Sequence, residues 1–133
     1  MDGLAYASAV HFVWWCMQYS ATVETSFEAG HLIEGHRTCG RVHGHHYRVQ
    51  ATALGHMQRD GTPVDMFELR QATQALADEC DGRYLNEMLP GVIPSPHGIA
   101  RWFMERLLDQ WPRVAEVTVW ERPCCSGTVK REV

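Results

Sequence analysis

The 133-residue sequence has no long apolar run, no Cys-x-x-Cys pair, no internal repeat, no low-complexity tract and no surplus of basic charge. Each absence excludes something. Without about 18 consecutive apolar residues, no membrane-spanning helix is expected. With 12 Lys and Arg against 16 Asp and Glu, the chain carries a net charge of −4 and lacks the basic stripe of a nucleic-acid-binding face. An anionic ligand remains compatible with arginines gathered locally. The five cysteines (Cys16, Cys39, Cys80, Cys124, Cys125) are odd in number, so they do not read as a disulfide framework. Free thiols in a reducing, cytoplasmic compartment are the simpler expectation.

The length suits one domain with a small core. Residues 1–18 form an apolar, aromatic N-terminal extension, MDGLAYASAVHFVWWCMQ, without the basic start of a signal peptide. It reads equally as an added strand, an added helix, or a leader from an early start codon. Residues 19–133 form the domain.

Alternation predicts a strand over 19–30, with Ala21, Val23, Thr25 and Phe27 on one face, and a second over 43–54. Asp60-Gly61 marks a turn. A helix starts at Asp65, with Asp65 and Glu68 spaced as a capping box, and ends at Asp81-Gly82. A second helix starts at Ser95-Pro96, with Ser95 as N-cap, carries Ile99, Phe103 and Leu107 on its apolar stripe, and stops by Pro112. Strands over 115–122 and 128–131 follow, separated by the turn PCCSG. The order β-β-α-α-β-β predicts an α+β fold: a four-stranded antiparallel sheet with two helices on one face. Its two open edges are places where subunits pair.

The chemistry concentrates in CGRVHGHHYRV, residues 39–49. Side chains at i and i+2 of a strand share a face. His43 and His45 therefore project together, and His46 points away. His31, ending the first strand, is placed to supply a third imidazole. Three neutral imidazoles with one position left open suit a catalytic Zn²⁺. A polar strand face with two solvated histidines is the plainer reading of the pair alone. Cys39 stands just before it as a fourth zinc ligand, a general base or nucleophile, or an inert buried thiol.

These residues carry a resemblance. Phe27-Glu-Ala-Gly-His31, Glu34-Gly-His36, Cys39-Gly-Arg-Val-His-Gly-His45, Val64-Asp-Met-Phe-Glu-Leu69, Tyr84-Leu-Asn86 and Glu121 follow one another as in the 6-pyruvoyl-tetrahydropterin synthase superfamily. The chain most resembles its bacterial branch, the 6-carboxytetrahydropterin synthases of queuosine (7-deazaguanine) biosynthesis. The resemblance implies the tunnelling fold (T-fold), with trimers closing their sheets into a barrel and stacking as a homohexamer with active sites between subunits. It implies Zn²⁺ on His31, His43 and His45, and Cys39 as a proton-transferring thiol. It implies Glu121 as the carboxylate that accepts two parallel hydrogen bonds from a pterin edge. Arg41, Arg48, Lys130 and Arg131 are candidate triphosphate contacts, with plain surface charge the alternative for each. The implied reaction is that of a lyase turning 7,8-dihydroneopterin triphosphate into 6-carboxytetrahydropterin, with loss of acetaldehyde and triphosphate.

The pattern breaks twice. The family reads Leu-Asp-His after the first helix; here Cys80-Asp81-Gly82 keeps the Asp and replaces the His. The family reads Asn-Pro-Thr-x-Glu before the second helix; here Ile93-Pro-Ser95-Pro-His97 puts a His where a carboxylate associated with pterin binding stands. Ser95 belongs to the same expected substrate-binding stretch. Asp81 is expected to move protons with Cys39, and His97 to take over part of the relay that Gly82 cannot serve. The alternatives are a diverged enzyme for another pterin or specialised metabolite, and a pterin- or zinc-binding protein without turnover.

Overall fold

The computed structural model describes residues 17–132. The extension assigned to 1–18 falls almost wholly outside them. Four strands form one antiparallel sheet in the order β1-β2-β3-β4: β1 (Tyr19–His31), β2 (His43–Gly55), β3 (Val114–Arg122) and β4 (Cys125–Lys130). Three helices lie in the middle of the chain: α1 (Met66–Cys80), a single turn α2 (Leu85–Met88) and α3 (Pro96–Leu108). Among the described residues no helix is long and apolar enough to cross a membrane.

Strict alternation builds the sheet. Along β1, Ala21, Val23, Thr25, Phe27, Ala29 and His31 are buried, while Ser20, Thr22, Glu24, Ser26 and Glu28 are exposed. The inward set meets Tyr47, Val49, Ala51 and Ala53 of β2, Val117 and Val119 of β3, and Leu69, Ala77, Ile99, Phe103 and Leu107 of the helices. Phe27 stacks on Tyr47 (5.0 Å between centroids) and on Phe103 (6.0 Å), which ties the sheet to α3. Truncating a ring so placed costs about 3–5 kcal/mol. The outer face is polar, held by cross-strand pairs such as Thr22 with Thr52 (2.7 Å) and Arg48 with Glu24 (2.9 Å).

The helix starts are capped as their sequences suggest. The Asp65 carboxylate accepts from the backbone N–H of Phe67 and Glu68, although Glu68 makes no return bond, so only half of the capping box forms. Ser95 Oγ accepts from Gly98 N–H at 3.1 Å, with Pro96 at the first helical position. Gly98 is required there, because a Cβ would lie 1.9 Å from the Ile93 carbonyl oxygen.

Three boundaries differ from expectation. Helix α2 is extra; four residues are too few for a periodic signal. Helix α3 ends at Leu108, four residues before Pro112. Strand β4 starts at Cys125 and ends at Lys130, rather than spanning 128–131. Cys125 already pairs with Arg122, so the turn is only Pro123-Cys124. Gly127 fits inside the strand because the α3 start packs over it: a Cβ would lie 2.7 Å from the backbone N of His97.

Candidate metal and substrate site

The last rung of the β1–β2 ladder pairs His31 with His43, and two rungs in, Ala29 pairs with His45. One cross-strand pair and one diagonal neighbour thus put three imidazoles on the inward face where the sheet runs out. Their ring centroids lie 4.5 Å (His31–His43), 5.0 Å (His31–His45) and 4.7 Å (His43–His45) apart. His46 faces the other way, exposed, 3.6 Å from Glu28.

Strand β3 adds a carboxylate. Val49 pairs with Val119 and Arg48 with Trp120, so the same alternation carries Glu121 to the inward face beside Tyr47 and His45. On its other side the β3–β4 ladder shifts register between Trp120 and Arg122. Bulges of this kind re-aim side chains next to functional sites. Glu121 Oε1 lies 2.9 Å from His45 Nε2, 3.1 Å from His31 Nε2 and 3.9 Å from Cys39 Sγ. All three contacts use Oε1, leaving Oε2 for another partner.

The loop between β1 and β2 presents Cys39. Ile33 N–H donates to the Cys39 carbonyl at 2.7 Å. His36 Nδ1 accepts from Thr38 N–H (3.1 Å) and Cys39 N–H (2.9 Å), folding the loop around the imidazole. Gly40 follows where a Cβ would lie 2.5 Å from the His36 carbonyl. The buried thiol is pushed up from its ordinary pKa, first by burial and then by the Glu121 carboxylate, with Arg122 opposing.

The donor set fits a cation. His31 Nδ1 bonds the Pro94 carbonyl at 2.8 Å, and His43 Nδ1 bonds the Arg41 carbonyl. A carbonyl only accepts, so each Nδ1 carries a hydrogen and each Nε2 is the ring nitrogen turned into the site. Those two nitrogens face each other at 2.9 Å, with the Glu121 oxygen beside them. Two ring nitrogens and a carboxylate oxygen converging in this way suit a positive charge among them. His45 Nε2 is buried 2.9 Å from the carboxylate but finds no properly directed hydrogen bond. Burial also holds the His45 imidazole below its ordinary pKa, in the neutral form that ligates metals. The ligand atoms of His31, Cys39, His43 and Glu121 all lie within 4.8 Å of one another, with His45 at their side. The carbonyls on Nδ1 are the outer contacts that orient metal-ligating imidazoles.

The remaining expected residues lie elsewhere on the chain. The Asp81 carboxylate accepts from Glu28 N–H at 2.9 Å, on the outer edge of β1. Gly82 N–H donates to the Glu28 carbonyl at 2.7 Å, and Gly82 has φ +70° with open space where a Cβ would be. His97 is exposed at the α3 start against Gly127 of β4, the opposite edge of the sheet. With Ser95, Ile93, Arg101 and Val129 it lines an open cavity of about 470 Å³. Within one chain Cys39, Asp81 and His97 therefore do not meet as a relay. Three of the four candidate triphosphate contacts are engaged: Arg48 by Glu24 and the Trp120 ring, Lys130 by Glu116, and Arg131 by the Pro112 and Val114 carbonyls. The Arg41 side chain has no such partner among the described residues.

Sequence reasoning missed two supports. Asn86 brackets Leu32, accepting from its N–H (2.9 Å) and donating to its C=O (2.7 Å), which pins the chain one residue past His31. The Pro94 carbonyl is the other. The Tyr84-Leu-Asn86 motif was the only signal for the first; a backbone carbonyl offers none.

A family model described as 6-pyruvoyl tetrahydropterin synthase matches residues 20–132, nearly all of the described chain. The chain belongs to the 6-pyruvoyl tetrahydropterin synthase family. An Archaeoglobus fulgidus protein, named as a proposed 6-carboxy-5,6,7,8-tetrahydropterin synthase, is 32% identical over 99 residues, 74% of this chain and 84% of that one. A Methanocaldococcus jannaschii protein of the same proposed name is 32% identical over 60 residues, 44% of this chain and 37% of that one. The solved 6-pyruvoyl tetrahydropterin synthase of Caenorhabditis elegans superposes with a TM-score of 0.78 at 19% identity, covering 87% of this chain and 97% of its own. That of Plasmodium falciparum gives 0.74 at 16% identity, covering 87% and 99%. The four-stranded sheet with its helices is the T-fold of this family.

Proposed function

We infer that the protein is a cytoplasmic, zinc-dependent lyase that converts 7,8-dihydroneopterin triphosphate to 6-carboxytetrahydropterin, releasing acetaldehyde and triphosphate, on the route to queuosine. The observation that carries this reading is the convergence of a buried thiol, a carboxylate and three imidazoles at one end of the sheet, in a chain of this family. The names of the two archaeal relatives favour this reaction over others.

His31, His43 and His45 would hold Zn²⁺, which when bound polarises the side-chain hydroxyls of the substrate and eases proton loss at the adjacent carbons. Cys39 moves protons. Its sulfur lies 3.9 Å from Glu121 Oε1 and beside the imidazoles, within reach of a substrate carbon held there. Glu121 orients the ring, its unengaged Oε2 and the rim of Oε1 facing the guanidine-like edge of a pterin. Asp81 and His97 sit at opposite edges of the sheet, and residues 81–83 already hydrogen-bond the β1 edge at Glu28 and Gly30. Pairing of one copy's β4 edge on another's β1 edge brings Asp81 of one chain toward His97 of the next. That arrangement, within a homohexamer, lets His97 stand in for the proton carrier that Gly82 lacks, with Ser95 beside it against substrate.

The test is incubation of zinc-loaded protein with dihydroneopterin triphosphate, assaying acetaldehyde and triphosphate. Both products are expected, and the H97A variant is expected to lose most turnover while keeping zinc. Unchanged turnover in H97A removes His97 from the relay. Bound zinc with neither product favours the second reading, a diverged enzyme for another pterin. The open space at Gly82 is the observation behind it.

A further inference from the structure

The β3–β4 hairpin carries two thiols that the site above does not use. Cys124 and Cys125 are adjacent, exposed and free, with their sulfurs 3.6 Å apart. Neighbouring residues of a regular strand point to opposite faces, which would separate the two sulfurs. Here the turn cancels that alternation. Arg122 and Cys125 form the last pair of the ladder, Pro123 and Cys124 make the two-residue connection, and Cys125 opens β4. Pro123 has its φ fixed by its ring, so the connection is stiff at its first position. The two sulfurs are thus held on one side of the tip.

The spacing discriminates between the things a dithiol can do. A disulfide needs sulfurs at about 2.05 Å and α-carbons usually at least about 4.4 Å apart, whereas adjacent residues are held at about 3.8 Å. Sulfurs at 3.6 Å are two separate thiols in contact, and an adjacent pair closes as a disulfide only by forming a strained eight-membered ring. Two sulfurs at that distance, each about 2.3 Å from a shared ion, subtend a bite angle of about 100°, close to tetrahedral. That bite suits both sulfurs to one ion.

We propose that Cys124 and Cys125 form a chelating site for soft, thiol-seeking ions, with trivalent arsenic and the heavier d¹⁰ cations as its chemical class. Two protein sulfurs fill part of the coordination shell, and an external group completes it. Soft thiolate ligands select such ions over the harder metals suited to imidazole and carboxylate. The chain then holds two sites of different taste: imidazoles and a carboxylate inside, paired thiols on an exposed hairpin.

Phenylarsine oxide tests this directly. Both sulfurs bond to arsenic, the two thiol protons leave with the arsenical oxygen as water, and arsenic stays trivalent throughout. The reduced, zinc-loaded full chain is expected to gain one phenylarsenic group per protomer by intact mass, reversed by a small dithiol and not by a monothiol. Losing one arm of a chelate weakens binding by roughly 10²-fold or more, so C124S and C125S should each lose the adduct. C16S, C39S and C80S should keep it. The variants lie at an exposed turn, and unchanged zinc content checks that they fold. An adduct that survives in C124S or C125S, or that disappears in C16S, C39S or C80S, overturns the proposal. So does a pair isolated as a disulfide that takes up no arsenical after reduction.

Discussion

His31 and His43 meet Nε2 to Nε2 at 2.9 Å, each with its Nδ1 hydrogen committed to a backbone carbonyl. With both Nδ1 hydrogens so committed, the two Nε2 atoms and the neighbouring Glu121 oxygen are placed to share one cation. Replacing either histidine with Ala should drop zinc from one per chain to under about a tenth, measured by atomic emission on dialysed protein. Chelator should lower the melting temperature of the parent protein by on the order of 10 °C, since a ligand bound only by the folded state stabilises it by mass action. The H43A variant should show almost no such drop.

Cys39 can be separated from the metal ligands. The C39S variant should lose about 10²- to 10⁴-fold in turnover with its zinc content unchanged, as expected for a lost proton carrier. Loss of zinc from C39S would make the thiol a permanent fourth ligand and close the site, which ends the lyase reading.

Asn86 tests how far the site depends on its backbone support. Both of its amide bonds go to Leu32, the residue after His31. The N86A variant leaves that N–H and C=O without partners at a part-buried position, so urea denaturation should show a loss of about 1–3 kcal/mol. Zinc affinity should fall as well, by roughly 10-fold, because the strand end that aims His31 is loosened.

The buried Cys80 predicts an alkaline limit to stability. Burial pushes its thiol from 9.0 up to about 12, with Glu79 adding to the rise. The folded pKa lies above the unfolded one, so this contribution is complete below about pH 9 and is lost as pH climbs through about 12. The shift corresponds to as much as about 4 kcal/mol across that window. Denaturation curves from pH 8 to 11 should show a shallower loss in C80A than in the parent; equal slopes would assign the decline to other groups.

Much of the site was legible because strands have a period of two. His43 and His45 had to share a face, and His31 had to end the neighbouring strand. The exact rung, His31 opposite His43, depends on a register that the alternation alone leaves open by steps of two. Glu121 was named only by resemblance, and its contact with the histidines rests on β2–β3 pairing across a separation of 82 residues from Cys39. The Pro94 carbonyl was invisible, since every residue has one. The fourth strand was misplaced because PCCSG carries turn residues throughout, whereas the chain turns only at Pro123-Cys124 and tolerates Gly127 where His97 covers it. Asp81 and His97 lie at opposite edges of one sheet, so whether they serve Cys39 depends on how copies of the chain pair, which a single sequence does not spell out.

The spread of the site along the chain also sets when it can exist. His31 and His43 are only 12 residues apart and meet as soon as the β1–β2 hairpin closes. Glu121 arrives from the far end, and its contact with Cys39 waits for the last long-range strand to dock. A nascent chain therefore gathers its three imidazoles early and its carboxylate last. On the reading proposed above, zinc capture would follow the closing of the hairpin that carries His31, His43 and His45, whereas recognition of the ring through Glu121 would wait for the docking of β3.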